Sequence, residues 1–217
     1  MKVNSKAVKE ILNSISPVTL VAATKYVGVN EINELEALGC LIYGENRVQA
    51  FLDKYEKYHG KGRWHFIGTL QTNKVKYIAP FVSLIESLDS ERLAEEIERQ
   101  GSRFDRVIDC LLEIHLTQED SKSGWEYSSL LEFIEQGSFN AMPHIRVRGV
   151  MGMATLTDDE ATVRADFQRL AQYFKTLKVY FGEAFDTISM GMSDDYHIAL
   201  EYGSTEVRIG STIFGSR

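Results

Sequence analysis

From Thr19 to the C-terminus the chain alternates, eight times over, between a short run of apolar and β-branched residues and a longer segment with helical spacing. The runs are TLVAATK (19–25), CLIYGE (40–45), WHFIG (64–68), VSLIESL (82–88), VIDCLLEIHL (107–116), IRVRGVMGM (145–153), FDTISMGM (185–192) and EVRIGSTIFG (206–215). Each reads as a strand buried on both faces, because apolar residues are continuous rather than alternating. Between them lie helical segments. NEINELEALG carries Gly39 as a natural C-terminal stop, and Val48, Phe51, Leu52 and Tyr55 fall at i, i+3, i+4 and i+7. A long helix covers roughly 158–178, and DDYHIALEYG forms a short one before the last strand. Val8, Ile11, Leu12 and Ile15 add a helix ahead of the first strand. Strands separated by helices must run parallel. Eight of them predict an α/β fold, a single (β/α)8 TIM barrel with an additional N-terminal helix. Its 217 residues lie near the short end of that fold's range and leave room for one domain, 1–217. An open doubly wound sheet is the competing arrangement, but no G-x-G-x-x-G follows the first strand.

Charge and cysteine usage narrow the function. Lys plus Arg is 24 and Asp plus Glu is 31, for a net charge of -7. An acidic chain without a basic block is a poor binder of nucleic acid or anionic membranes. No apolar run approaches the ~18 residues of a membrane span, and MKVNSKAVKEILNSIS lacks the apolar core of a signal peptide. Cys40 and Cys110 are the only cysteines and form no C-x-x-C pair. That predicts a reduced, cytoplasmic protein. The histidines, at 59, 65, 115, 144 and 197, are scattered, so no metal is expected.

Barrel active sites lie at the C-terminal ends of the strands. The first strand ends in Lys25, where partial desolvation would free an amine for attack on carbonyls. Read alone, Lys25 is better explained as a lysine that snorkels to water, since lysine is rarely buried. The last two strands end in SMGMS (189–193) and RIGST (208–212). Gly191, Ser193, Gly210, Ser211 and Thr212 there offer backbone N–H groups and hydroxyls, and loops after these two strands recurrently hold phosphate. The helix starting near Asp194 adds its dipole. The plainer alternative is turn glycines and an N-cap serine. Arg208 lies inside the eighth strand. It needs an internal acid, such as Glu45 or Asp89, or it leaves through the mouth as a donor to a ligand ring. An amine, a phosphate cup and an arginine together describe a site for pyridoxal 5'-phosphate (PLP).

The motifs LVAATK, YGENRVQ, WHFIGTLQTNK, SKSG, GVMGM, SMGMSDD and GSTEVRIGSTIFG occur in this order and cover nearly the whole chain. In them the chain resembles the YggS/PLP-binding protein family, the PLP homeostasis proteins, single-domain relatives of the alanine racemase barrel (fold type III). The resemblance implies that Lys25 forms the internal aldimine with PLP and that Arg208 faces the pyridine nitrogen. Ser193, Gly210 and Ser211 match the positions that hold the phosphate. Asn46 would lie at the cofactor's edge, or alternatively cap the following helix. Lys122 of SKSG is a candidate second contact for PLP. His65, Trp64 and Lys74 read as packing or surface. The chain departs from the family pattern at Val27, where a second lysine is usual, at Ala50, where a glutamate is usual, and at Glu86, where HSVD has its histidine.

Three functions compete: a PLP holder that buffers or delivers the cofactor, a PLP-dependent amino-acid racemase, and a cofactor-free Schiff-base lyase. The holder is the preferred reading, with PLP-dependent apo-enzymes as partners and the chain acting as a monomer. Racemisation needs an acid or base on each face of the substrate. Here only Lys25 is evident, and no second domain like that of the racemases is expected. Arg208 also keeps the pyridine nitrogen unprotonated, which weakens the ring as an electron sink.

Overall fold

The computed structural model describes residues 2–117 and 123–215, and Lys122 lies outside them. Helix α1 (Ser5–Ile15) buries Val8, Ile11 and Ile15 on one face and is capped by the Asn4 side chain, which accepts from the Ala7 amide at 3.1 Å. Strand and helix then alternate: β1 (Thr19–Ala23), α2 (Val29–Ala37), β2 (Ile42–Glu45), α3 (Val48–Tyr55), β3 (Arg63–Phe66), α4 (Thr72–Ile78), β4 (Leu84–Leu88), α5 (Glu91–Arg103), β5 (Ile108–Glu113), α6 (Tyr127–Glu135), β6 (Ile145–Met151), α7 (Glu160–Phe181), β7 (Thr187–Ser189), α8 (Tyr196–Glu201), β8 (Glu206–Ile209) and α9 (Ser211–Phe214). The eight strands are parallel and close into a barrel in sequence order, β8 pairing with β1 through Val21 and Arg208 among others. This is the predicted (β/α)8 barrel with its extra N-terminal helix. No helix among the described residues is long and apolar enough to cross a membrane.

Most of the apolar core lies between the strands and the surrounding helices. Leu84, Leu111 and Met151 form a separate cluster. Leu84 shares a strand face with Glu86, which meets β8 across the barrel, so that second cluster fills the interior. Under α3 the apolar stripe is narrower than its spacing predicts. Phe51 is buried, Tyr55 is exposed and stacks on Phe81, and a buried Lys54 takes an inward place.

Six of the eight strands end at least two residues before the runs read for them, and three of these, β1, β7 and β8, shape the site. β1 stops at Ala23, two residues before Lys25, and β7 spans only 187–189. β8 stops at Ile209 instead of running to 215. The Ile213 and Phe214 amides turn back on the Gly210 carbonyl at 3.0 and 2.9 Å, so the β-branched sequence STIF becomes helix α9. Its last turn is tied to the start of the chain, where the Asn4 amide donates to the Ile213 carbonyl at 2.8 Å.

β6 carries a bulge. Cys110 pairs with Val147, but Leu111 pairs with Gly149, leaving Arg148 as the extra residue. Arg148 is aimed at the barrel's N-terminal face, where it pairs with Asp109 at 3.3 Å and Asp186 at 2.8 Å. Gly149 follows because nothing larger fits: a Cβ there would sit 1.8 Å from the Thr187 carbonyl oxygen.

Candidate functional site

A cavity of about 410 Å³ opens at the C-terminal ends of β1, β7 and β8, within the range usual for small-ligand sites. Lys25, Ser193, Arg208, Gly210 and Ser211 all line it, together with Tyr26 and Asp194. Lys25 is exposed rather than partly desolvated as expected, because it stands in the loop beyond the ladder. Its Nζ lies 5.4 Å from the Tyr26 ring centre. Opposite, the Ser193 hydroxyl accepts from the Gly210 and Thr212 amides at 3.3 and 3.4 Å, which draws the two loops into one cup. Gly191 makes that approach possible. Its φ is +97°, and a Cβ there would come within 2.7 Å of Ala199 and 2.9 Å of the Tyr196 backbone. Asp195 steadies the same turn by accepting from the Met192 amide at 2.6 Å.

Arg208 is buried at the cavity floor. Its Nη1 donates to Ser189 Oγ at 2.6 Å and its Nη2 to the Gly152 carbonyl at 3.1 Å. The Ser189 hydroxyl in turn donates to Glu86 Oε2 at 2.7 Å, and the guanidinium lies 3.7 Å from that carboxylate. The internal acid is therefore Glu86, neither Glu45 nor Asp89. The other Glu86 oxygen lies 3.0 Å from His65 Nδ1, and Glu206 stands 3.8 Å from the same nitrogen. His65, Glu86 and Glu206 bring three potential ligand atoms within 4.8 Å of one another, the one such group among the described residues. Arg208 already supplies a cation to it.

The two carboxyls are driven apart. Burial pushes Glu86 upward, but the His65 hydrogen bond and the nearby His65 and Arg208 charges hold it net below the ordinary value. Burial and the negative charge of Glu86 raise Glu206 well above its ordinary 4.5. A carboxyl raised in the folded state binds a proton that the unfolded chain has released. Its contribution to stability is full below about pH 4.5 and is lost as pH rises toward the folded value. Glu206→Gln is neutral at every pH, so it should flatten this decline. Melting curves from pH 5 to 8 check it, and equal slopes for both proteins would refute the assignment.

A second polar network lies beneath Lys25. Glu45, fully buried at the end of β2, accepts from Lys54 Nζ at 2.5 Å and from the Thr24 hydroxyl. Lys54 also donates to the Thr24 carbonyl at 2.5 Å, so the residue preceding Lys25 is tied on both its side chain and its backbone.

The structure thus gathers five of the six predicted site residues. Asn46 is the exception. It lines a neighbouring groove with Phe66, Gln71 and Lys74, and the N-cap of α3 is Arg47. Lys54, Glu86 and Ser189 are additions that motif reading missed. The usable signal was strand alternation: Glu206 and Arg208 sit two apart and so share a face, as do Leu84 and Glu86.

Residues 4–217 match the family described as alanine racemase, N-terminal domain. The chain is 40% identical over 199 residues to the pyridoxal phosphate homeostasis protein of Aquifex aeolicus (strain VF5), covering 91% of this chain and 86% of that one. It is 36% identical over 215 residues to the pyridoxal phosphate homeostasis protein of Pasteurella multocida (strain Pm70), covering 97% and 91%. Among solved structures, PipY of Synechococcus elongatus PCC7942 with PLP bound is similar at a TM-score of 0.90 and 28% identity, over 97% of this chain and 99% of that one. With the family match over nearly the whole chain, these identities and the shared fold, the chain belongs to the pyridoxal phosphate homeostasis protein family.

Proposed function

We propose that this protein binds PLP at the barrel mouth and acts in PLP homeostasis, holding or handing over the cofactor without sustained turnover. The observation that carries this is the convergence of Lys25, Arg208, Ser193, Gly210 and Ser211 on one cavity. The donor set fits the group. Lys25 offers an accessible amine for the aldehyde. Ser193 and the Gly210–Thr212 amides offer hydrogen bonds for a phosphate. Arg208 keeps N–H donors beyond the two it spends on Ser189 and Gly152, and these can serve the ring nitrogen. Gly210 leaves its side of the cup bare, since a Cβ there would press on Ala23 at 3.3 Å. When bound, PLP supplies an aldehyde that condenses with amines and a ring that withdraws electrons. All five groups come from one chain, which supports action as a monomer. Two buried free cysteines agree with a cytoplasmic setting, where PLP-dependent apo-enzymes would be the recipients.

Against racemisation stands the distribution of proton-transfer groups. Tyr26 directly follows Lys25 on the same loop, so those two share one side of the cavity, and Asp194 belongs to the loop of the cup. Borohydride reduction of the PLP-loaded protein, followed by peptide mapping, should place the label on Lys25. Lys25→Ala should be colourless after reduction and dialysis, and neither protein should racemise alanine above background. Label on Lys74 would overturn the assignment. Saturable racemisation abolished by Lys25→Ala would make the protein a racemase.

A further inference from the structure

Arg208 is a buried cation that lines the cavity floor, and its polar surroundings come from several strands. Its partners come from three separate strands or strand ends. Ser189 on β7 accepts from Nη1, Gly152 just after β6 accepts from Nη2, and Glu86 on β4 stands behind Ser189. The hydrogen bonds run in one direction. The guanidinium donates to the serine and the serine donates to the carboxylate, so each hydroxyl and carboxylate oxygen in the path has a definite role. A guanidinium cannot shed its proton, so in the barrel interior its charge must be offset by a fixed anion. Glu86, itself without solvent exposure, stands within ion-pair reach of it at 3.7 Å, while burial and the Glu86 charge raise the neighbouring Glu206 well above its ordinary value. The charged or titratable groups that face Glu86 are His65 on β3 and Glu206 and Arg208 on β8.

We propose that Glu86, acting through Ser189, is a positioning residue for Arg208: it holds the guanidinium edge toward the cavity and offsets its charge, and so sets how strongly the arginine draws electrons from a ring bound above it. This rests on the reading of Arg208 as the ring nitrogen's neighbour. The paired arginine presents directed N–H donors with little net field. Removing the carboxylate charge leaves the donors but exposes the ring to a positive charge less fully offset, with Glu113, Asp195 and Glu206 remaining near it, and this disfavours protonation of the Lys25 nitrogen when PLP is joined to it. Removing the serine hydroxyl leaves the charge but frees the guanidinium to move, and a donor that must be immobilised on binding binds less tightly.

The two halves are separable. In Glu86→Gln, loaded with PLP, the pH midpoint of the lysine-bound absorption band should fall by on the order of one unit. In Ser189→Ala, PLP titration should show affinity weakened roughly 3- to 10-fold, as for one ordinary hydrogen bond. Ser189→Thr, which keeps the hydroxyl, should restore the affinity. Arg208→Gln is the control, and melting of each unloaded protein corrects for the folded fraction. If Arg208→Gln weakens binding while Glu86→Gln leaves the midpoint in place and Ser189→Ala leaves the affinity unchanged, the positioning role is refuted and the Arg208 reading stands. If Arg208→Gln itself changes neither quantity, the Arg208 reading fails and takes the proposal with it. Lower melting temperatures with unchanged midpoint and affinity also refute it, because they describe a residue that only supports the barrel.

Discussion

Lys54→Met is expected to lower the melting temperature by on the order of 10 °C. The lysine is nine-tenths buried and donates to both Glu45 and the Thr24 carbonyl. Methionine fills the space of the stem but leaves the Glu45 carboxylate, which has no solvent exposure, without its cation. One Glu45 oxygen already has no partner, so little remains to absorb the loss. Breaking a buried pair from one side costs about 3–5 kcal/mol, and in a chain of this size each kcal/mol shifts the midpoint by about 2–4 °C. Removing both charges should be milder than removing one. The double variant Lys54→Met with Glu45→Leu should therefore melt above the single one. A single variant within 2–3 °C of the parent would show that the pair contributes little.

Gly149→Ala should be at least as damaging for its size. The added methyl meets a backbone carbonyl, Thr187 at 1.8 Å, and no rotamer of a neighbour can relieve it. β6 must move away from β7, where Gly149 pairs with Thr187 in register. That places the cost at or beyond the upper end of the ~1–3 kcal/mol typical of overpacking. Thermal melting measures it directly, and an unchanged midpoint would mean that the bulge at Arg148 gives way cheaply.

These two positions show where sequence reading reaches and where it stops. The alternation of apolar runs and helical spacings was enough for the barrel, because burial on both faces leaves its mark in consecutive residues. Lys25, Ser193, Arg208, Gly210 and Ser211 were also legible, since strand-end position alone assigns them to one rim. Strand ends were less so. Ile213 and Phe214 suit a strand by composition, and only the amides folding back on Gly210 make them helical. Exposure of Lys25 was misjudged for the same reason, as it depends on whether the ladder ends at Ala23 or two residues later. The interior networks were invisible because their members lie far apart along the chain. Glu86 and Ser189 are separated by 103 positions, and Lys54 and Thr24 by 30. Closing the barrel is what brings them together. Asn46 is a different case: its motif is intact, but after β2 it lines the adjoining groove instead of the cavity of the other five.

The hydrogen bond from the Asn4 amide to the Ile213 carbonyl has a practical side. Ile213 belongs to the short helix whose first residue, Ser211, lines the cavity, and Asn4 also caps the helix that opens the chain. The two ends of the described fold are therefore mechanically one piece, and a disturbance at the front edge reaches the rear loop without touching any ligand-facing group. Trimming back to α1 would remove this bond, and with it one tie on the loop that lines the cavity. Deuterium uptake at the Asn4 amide, conversely, offers a reporter of that loop placed outside the cavity itself.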